Sequence, residues 1–347
     1  MGKFGAFLKK QNIEFSAKRY GIDALGAMAQ GLFCSLLIGT IIKTLGTQLN
    51  VSWLTAFGQA AFEMAGPAMA VAIGYALKAP NMVLFSLTAV GWSANTQGGA
   101  GGPLAVLIVA IIACECGKLV SKTTKVDILV TPAVTVFVGV GLSMLIAPYI
   151  GIAAGWFGDL IRKTTELHPF WMGILVSALV GIALTLPISS AAICAALSLT
   201  GLSGGAAVAG CCAQMVGFAV MSFRENRWGG LVSQGIGTSM LQMPNIVKNP
   251  RIWIAPILTS AITGPIATCV FKLEMNGAPV NSGMGTCGMC GPIGVITGWF
   301  DNGVTPTAMD WIGVSLICIV LPAVICPLIN LPLRKLGWVR DGDLKLP

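Results

Sequence analysis

Apolar runs long enough to cross a bilayer recur along this chain, and its charges stand mainly at their ends. A crossing helix needs about 20 apolar residues. Stretches near 24–45, 54–77, 127–150, 204–223, 252–273 and 311–333 meet that length, and a shorter pair, 82–91 and 104–117, flanks a polar interruption. Only 10% of the 347 residues are charged and 55% are hydrophobic, whereas a soluble domain carries about 25% charged residues. Mean hydropathy is +0.82. These values exclude a water-soluble globular enzyme, a disordered chain and a nucleic-acid-binding module. They predict an all-α polytopic membrane protein with about 8–10 transmembrane helices and re-entrant hairpins.

The net charge is +8, yet the basic residues form no single patch. Lys78, Lys118, Arg224, Arg251 and Arg334 close or follow apolar runs, the cytoplasmic bias of Lys and Arg in short loops. The excess therefore reads as topology, not as affinity for nucleic acid. The stretch 170–199 is too long for one straight crossing and is interrupted at Leu186-Pro187-Ile188-Ser189-Ser190. If it doubles back there, Arg224, Arg227, Lys248 and Arg251 stay on the inner side. Both termini are then cytoplasmic, in a multi-pass membrane protein. Residues 1–19 lack the apolar core of a signal peptide. Phe4, Phe7, Leu8 and Phe15 alternate there with Lys3, Lys9, Lys10 and Lys18, which predicts an amphipathic helix in the headgroup layer.

Backbone broken at membrane depth is tolerated only where protein or a watery cavity supplies hydrogen bonds. Such breaks near the midplane mark the binding sites of transporters. The longest polar break, 231–250, holds Ser233, Gln234, Gly235, Thr238, Gln242 and Asn245. Ser189 and Ser190 follow Pro187, Asn95 and Gln97 precede a glycine run, and Asn281 and Ser282 open a third Gly-rich stretch. These residues are the expected substrate-binding groups. Uncharged amides and hydroxyls suit a polyol or sugar-like solute better than an ion. Two acids fall within apolar runs, Glu63 and Glu115. A carboxylate at mid-membrane costs about 2.5–3.5 kcal/mol on insertion scales, so both are candidates for proton coupling. The plainer reading pairs Glu115 with the Lys118 interface and makes Glu63 a protonated packing group. No catalytic residue, metal site or cofactor site is expected. Cys287-Gly288-Met289-Cys290 lacks a second ligand pair, one histidine (His168) builds no Ser-His-Asp set, and no phosphate loop is present.

The break Ser233-Gln234-Gly235-Ile236, with Asn249-Pro250-Arg251, Pro256 and Ala261-Ile262-Thr263-Gly264 after it, resembles a known family. It is similar to the membrane-spanning IIC component of the phosphoenolpyruvate-dependent sugar phosphotransferase system, fructose-type branch. The likeness runs from about Gly98 to Phe271. It includes the Gly-rich stretch before Pro103, Lys118, Asp127-Ile128-Leu129-Val130 and the amphipathic Gly155 to Leu160. Closer still is a divergent IIC-like group that includes a membrane protein described as a regulator of perfringolysin production. Fructose-type members carry Thr-Glu-Gly-Ala-Ile-Pro-Phe at the first motif and Asp-Pro at the second. Here Gln234 replaces the Glu and Asn249 the Asp. That Glu is thought to help activate the sugar hydroxyl, and a carboxamide lacks the basicity for such work.

The resemblance implies a homodimer in the lipid bilayer of the bacterial inner membrane that works by an elevator movement. It implies an interfacial helix at 1–19, a scaffold at 20–150, an amphipathic linker at 151–168, a transport domain at 169–333 and a cytoplasmic tail at 334–347. The expected function is transport of a small polar, neutral organic solute without coupled phosphorylation. Two alternatives stay open: a membrane-embedded regulator or sensor that kept the fold, and a true phosphotransferase permease served by separate cytosolic phosphocarrier proteins.

Overall fold

The computed structural model describes residues 3–346. Met1, Gly2 and Pro347, the outermost residues of the expected N-terminal helix and tail, lie outside it, as do the side chains of Lys3 and Phe4 on which the interfacial face partly rests. Apart from one isolated pairing of Gly201 with Met275, the described secondary structure is helical. Six helical runs are long and apolar enough to cross a bilayer: Arg19–Gln48, Asn81–Val120, Asp127–Thr165, Gly201–Met221, Pro250–Val270 and Ala308–Lys335. Ala65–Ala76 and Pro169–Thr185 are shorter apolar helices. The chain is an all-α polytopic membrane protein. Pro103, Pro169 and Pro250 stand in the first turns of their helices, where the missing N–H has no intrahelical use. Thr307 and Asp310 exchange hydrogen bonds as a capping box at the start of the last long helix.

Contacts divide the chain into two compact units, Met1–Ala153 and Ala154–Pro347. In the first, successive helices pack antiparallel through close glycine contacts, for example Gly31 against the Ala68 carbonyl and Gly66 against Gly91. The expected unwound stretch after Gly91 is different in kind. Asn81–Gly98 stays helical through Asn95 and Gln97, and the reversal is confined to the short turn Gly99–Gly101 before Gly102–Val120. Gly99 sits at φ +50°, a left-handed angle that costs glycine little, so one residue turns the chain without a polar cradle.

The expected linker 151–168 lies largely within a long helix. Asp127–Thr165 is one continuous helix of 39 residues, and the boundary between the units falls inside it. Its residues after Pro148 include glycines, which lower helix propensity but do not break a helix. The next proline, Pro169, starts a new helix, and His168 Nδ1 caps it by accepting from the Phe170 N–H at 3.4 Å.

In the second unit Gly201–Met221 is the central strut, with 94% of its apolar window buried. Pro169–Thr185 lies alongside it and runs the same way, since Ser177 meets Gly210 and Gly181 meets both Gly210 and Gln214. The chain must therefore reverse between Thr185 and Gly201, and it does so through Leu186–Ser189 and the short helix Ser190–Ala196. The Pro250–Val270 run is antiparallel to both: Gly264 meets Gly173, and Ser177 Oγ donates to the Ser260 carbonyl at 2.7 Å. The core around Val208, Cys212, Ala267, Leu273 and Ile317 fills one end, and that around Phe218, Ile246, Ile252 and Leu333 fills the other.

A Cβ on Gly210 would collide with the Ser177 carbonyl, whereas Gly141 has nothing within 4 Å of its Cβ position. Overpacking of a tight core costs about 1–3 kcal/mol. Gly210→Ala should therefore lower the thermal midpoint of the detergent-solubilised protein by several degrees, and Gly141→Ala should leave it unchanged. Equal midpoints for the two variants would contradict this packing.

Candidate functional site

Three interrupted segments of the second unit converge on the Gly201–Met221 helix. From one side come Leu186–Ser190 and the stretch 279–289, tied together where Ser190 Oγ donates to the Gly283 carbonyl at 2.7 Å. Gly285, at φ +54°, packs against Cys211 and Cys212, and Thr286 Oγ1 lies 3.6 Å from Met215 Sδ. From the other side comes Ser233–Gln242, in which a π turn, Ser233–Gly237, is followed by a tight helical turn, Ser239–Gln242. The Ser233–Gly237 turn packs on both the central helix and the Cys287–Met289 turn.

Gln234, Gln242 and Asn245 form a buried chain of carboxamides. Gln234 Nε2 donates to Ser222 Oγ and to the Gly230 carbonyl, each at 2.9 Å. Its Oε1 accepts from Gln242 Nε2 at 2.8 Å, and Gln242 Oε1 accepts from Asn245 Nδ2 at 2.8 Å. Gln234 and Gln242 are fully shielded from solvent. The remaining donor directions of Gln242 and Asn245 end on the carbonyls of Leu344 and Lys345, at 2.9 and 2.8 Å. The tail, residues 334–346, is thus folded onto this cluster. Ser233, Gly235 and Thr238 shape the same segment: Ser233 Oγ donates to Gly230 O, Thr238 Oγ1 accepts from Met240 N, and Gly235 faces Ala219.

A second polar cluster adjoins the first and escapes the sequence reading. Gln214 is the single carboxamide of its apolar helix and is fully buried. Its Oε1 accepts from Trp253 Nε1 at 2.9 Å and Thr185 Oγ1 at 3.4 Å, and its Nε2 donates to Ser260 Oγ at 3.3 Å. Thr185 Oγ1 lies 2.8 Å from Ser239 Oγ, which links this cluster to the Ser239–Gln242 turn. An uncharged amide in mid-span is itself a signal, because hydrocarbon offers it no partner.

The other expected residues divide by place. Ser189 Oγ caps its short helix by accepting from Ala192 N, Ser282 Oγ donates to Pro279 O, and Asn281 packs beside Gly294. Asn95 and Gln97 belong to the first unit, where Gln97 Nε2 donates to Ser93 Oγ and Asn95 Oδ1 faces Gly102. Glu115 is held by Lys118 Nζ at 2.9 Å and by Tyr20 OH at 3.1 Å. The fully buried Lys118 also donates to the carbonyls of Asn12 and Leu77. This knot staples the N-terminal segment to two helix ends, a structural use of the acid. Glu63 is not buried: it lies on the surface of the chain and accepts from Gln59 Nε2, whose Oε1 accepts from Lys43 Nζ at 2.7 Å. Among the described residues no group of three or more His, Cys, Asp or Glu side chains gathers.

Gln234→Glu tests the carboxamide chain. Ionised, the new side chain still accepts from Gln242 but offers no donor to the Gly230 carbonyl. The Gly230 carbonyl keeps Ser233 Oγ but loses one donor and faces a buried carboxylate, at a cost of about 1–3 kcal/mol. The protonated acid regains a donor, so the deficit in thermal midpoint should shrink as pH falls. An equal deficit at acid and alkaline pH would contradict the assigned bonds.

No curated protein and no solved structure matches the chain. The sequence model of the family described as phosphotransferase system, EIIC, matches residues 22–346, through both units and nearly to the end of the tail. A membrane-embedded bundle whose broken helices bury neutral sugar-like hydrogen-bonding groups agrees with that match, and the chain belongs to the phosphotransferase-system EIIC family.

Proposed function

We propose that this membrane sugar-transporter component binds its solute where the two carboxamide clusters of the second unit adjoin. The solute would be a small neutral polyol or sugar, held by Gln234, Gln214, Thr185 and Ser239. The observation that carries this reading is the burial of uncharged donors and acceptors where the interrupted segments converge. Sugar hydroxyls both donate and accept, so they can replace the side-chain partners that these groups now give one another. The second unit would shift across the membrane as a body against the first, which would serve as the homodimer scaffold. Each polar group keeps an internal partner in the absence of ligand, so such a movement exposes no bare donor to lipid.

Coupled phosphorylation is the second reading, favoured by membership of the EIIC family. Gln234 weighs against it, since a carboxamide cannot take the proton of a sugar hydroxyl. Proteoliposomes loaded with radiolabelled glucose, fructose or mannitol separate the two. Carrier-free exchange of one unmodified sugar supports transport alone, and movement that requires cytosolic carriers and yields a sugar phosphate supports the permease reading. In the first case, Gln214→Ala with Gln234→Ala should weaken binding of that sugar at least about tenfold, two neutral hydrogen bonds' worth, while insertion and oligomeric state persist. Unchanged affinity in the double variant would refute this site.

A further inference from the structure

The last described residues close one end of the buried carboxamide chain with their backbone carbonyls. After the final long helix, Gly337 at φ +70° turns the chain back along the unit. The Trp338 ring lies under the Arg251 guanidinium at 5.3 Å, and the Trp338 carbonyl accepts from Asn249 Nδ2 at 2.8 Å. Asp343 Oδ2 accepts from Asn249 Nδ2 and from Arg340 N, each at 2.8 Å, closing a tight turn. Leu344 then enters the core with no exposed surface. Its carbonyl accepts from Asn226 Nδ2 at 2.7 Å and from Gln242 Nε2 at 2.9 Å, and the Lys345 carbonyl accepts from Asn245 Nδ2. Asn226 Oδ1 in turn accepts from Leu346 N at 2.9 Å.

These contacts have two properties. They are made mainly by tail backbone, so the carboxamides donate to a pair of carbonyl oxygens, a role that the oxygens of a sugar can also fill as acceptors. The charged contacts lie at the edge, with Asp343 on Asn249, Arg251 on Trp338, and the ion pair of Asp341 with Arg334 at 2.6 Å. Gly342 and Lys345 remain exposed while Leu344 is buried, so the segment is a single layer between the cluster and solvent. Beside it lies a cavity of about 310 Å³ bordered by Asn245, Lys248, Asn249, Gly342 and Lys345, into which the strand can shift without unfolding the helices beneath.

We propose that residues 338–346 are an autoinhibitory strap, which holds Gln242 and Asn245 in cis at the end of the carboxamide chain and must release before a sugar reaches Gln234 from the tail side. This rests on the sugar-binding reading above. When the competent state is only a fraction of the population, apparent affinity falls by that fraction, so loosening the strap raises apparent affinity and uptake together.

The test uses the full chain in lipid nanodiscs and proteoliposomes. Hydrogen exchange of the 343–346 peptide, measured without ligand, reports the strap. Asn226→Leu removes both of its bonds to the tail at nearly constant volume. Asp343→Ala loosens the turn from the tail itself, should the first variant not fold. In the wild type the Leu346 amide should be protected at least about tenfold over an open strand. Both variants should lose that protection and bind and take up the responsive sugar (glucose, fructose or mannitol) more strongly, by about the same factor. An unprotected wild-type tail, or a freed tail with unchanged affinity and uptake, overturns the strap alone. A protected tail with no binding of these sugars by any of the proteins overturns the sugar-site reading and the strap with it.

Discussion

Hydrocarbon gives a polar group nothing to bond to, and this single condition organises the whole chain. In the buried polar clusters, side chains find their partners inside the protein. Lys118, with no exposed surface, is met by Glu115 and the carbonyls of Asn12 and Leu77. Gln234, Gln242 and Asn245 are met by one another, by Ser222 and by the tail. The interrupted segments of the second unit stay in short helical turns instead of open coil, which keeps most backbone groups bonded within the segment. Close approach of helices through Gly173, Gly210 and Gly264 leaves little room for lipid or water to intrude.

The same condition says how the proposed sugar site would be both stable and usable. A carboxamide chain satisfies itself, so it need not collapse when empty. The same donors and acceptors match what a sugar offers, and exchange between internal and ligand partners costs little net free energy per bond, about 0.5–1.5 kcal/mol. Gln234 fits this economy better than a glutamate would, because both of its donor directions are used, on Ser222 and on Gly230. A carboxylate there would face the Gly230 carbonyl with a lone pair.

The helical membrane class was legible in the apolar runs, because spanning length and charge placement are properties of the sequence itself. Gln234, Gln242 and Asn245, amides set between apolar flanks, stand out in the sequence, and the structure links them in one buried chain. The structure departs from the sequence reading where tertiary packing, not local pattern, decides. The span read as ending at Ile150 continues as one helix to Thr165. Glu63 stands in an apolar run, but its face of the helix is the exposed one. Gln214 was hidden as one amide in an otherwise apolar span. The docking of the tail leaves almost no trace in sequence, because carbonyls of Leu344 and Lys345 do the bonding and every residue has a carbonyl.

The most direct test of this account is a density map of the protein in a lipid nanodisc at saturating concentration of the sugar it moves. The account predicts sugar density within hydrogen-bonding distance of both Gln234 and Gln214, with the segments 233–242 and 279–289 enclosed by protein. Sugar bound elsewhere with both carboxamides still holding their internal partners, or either segment lying in open water, would contradict it.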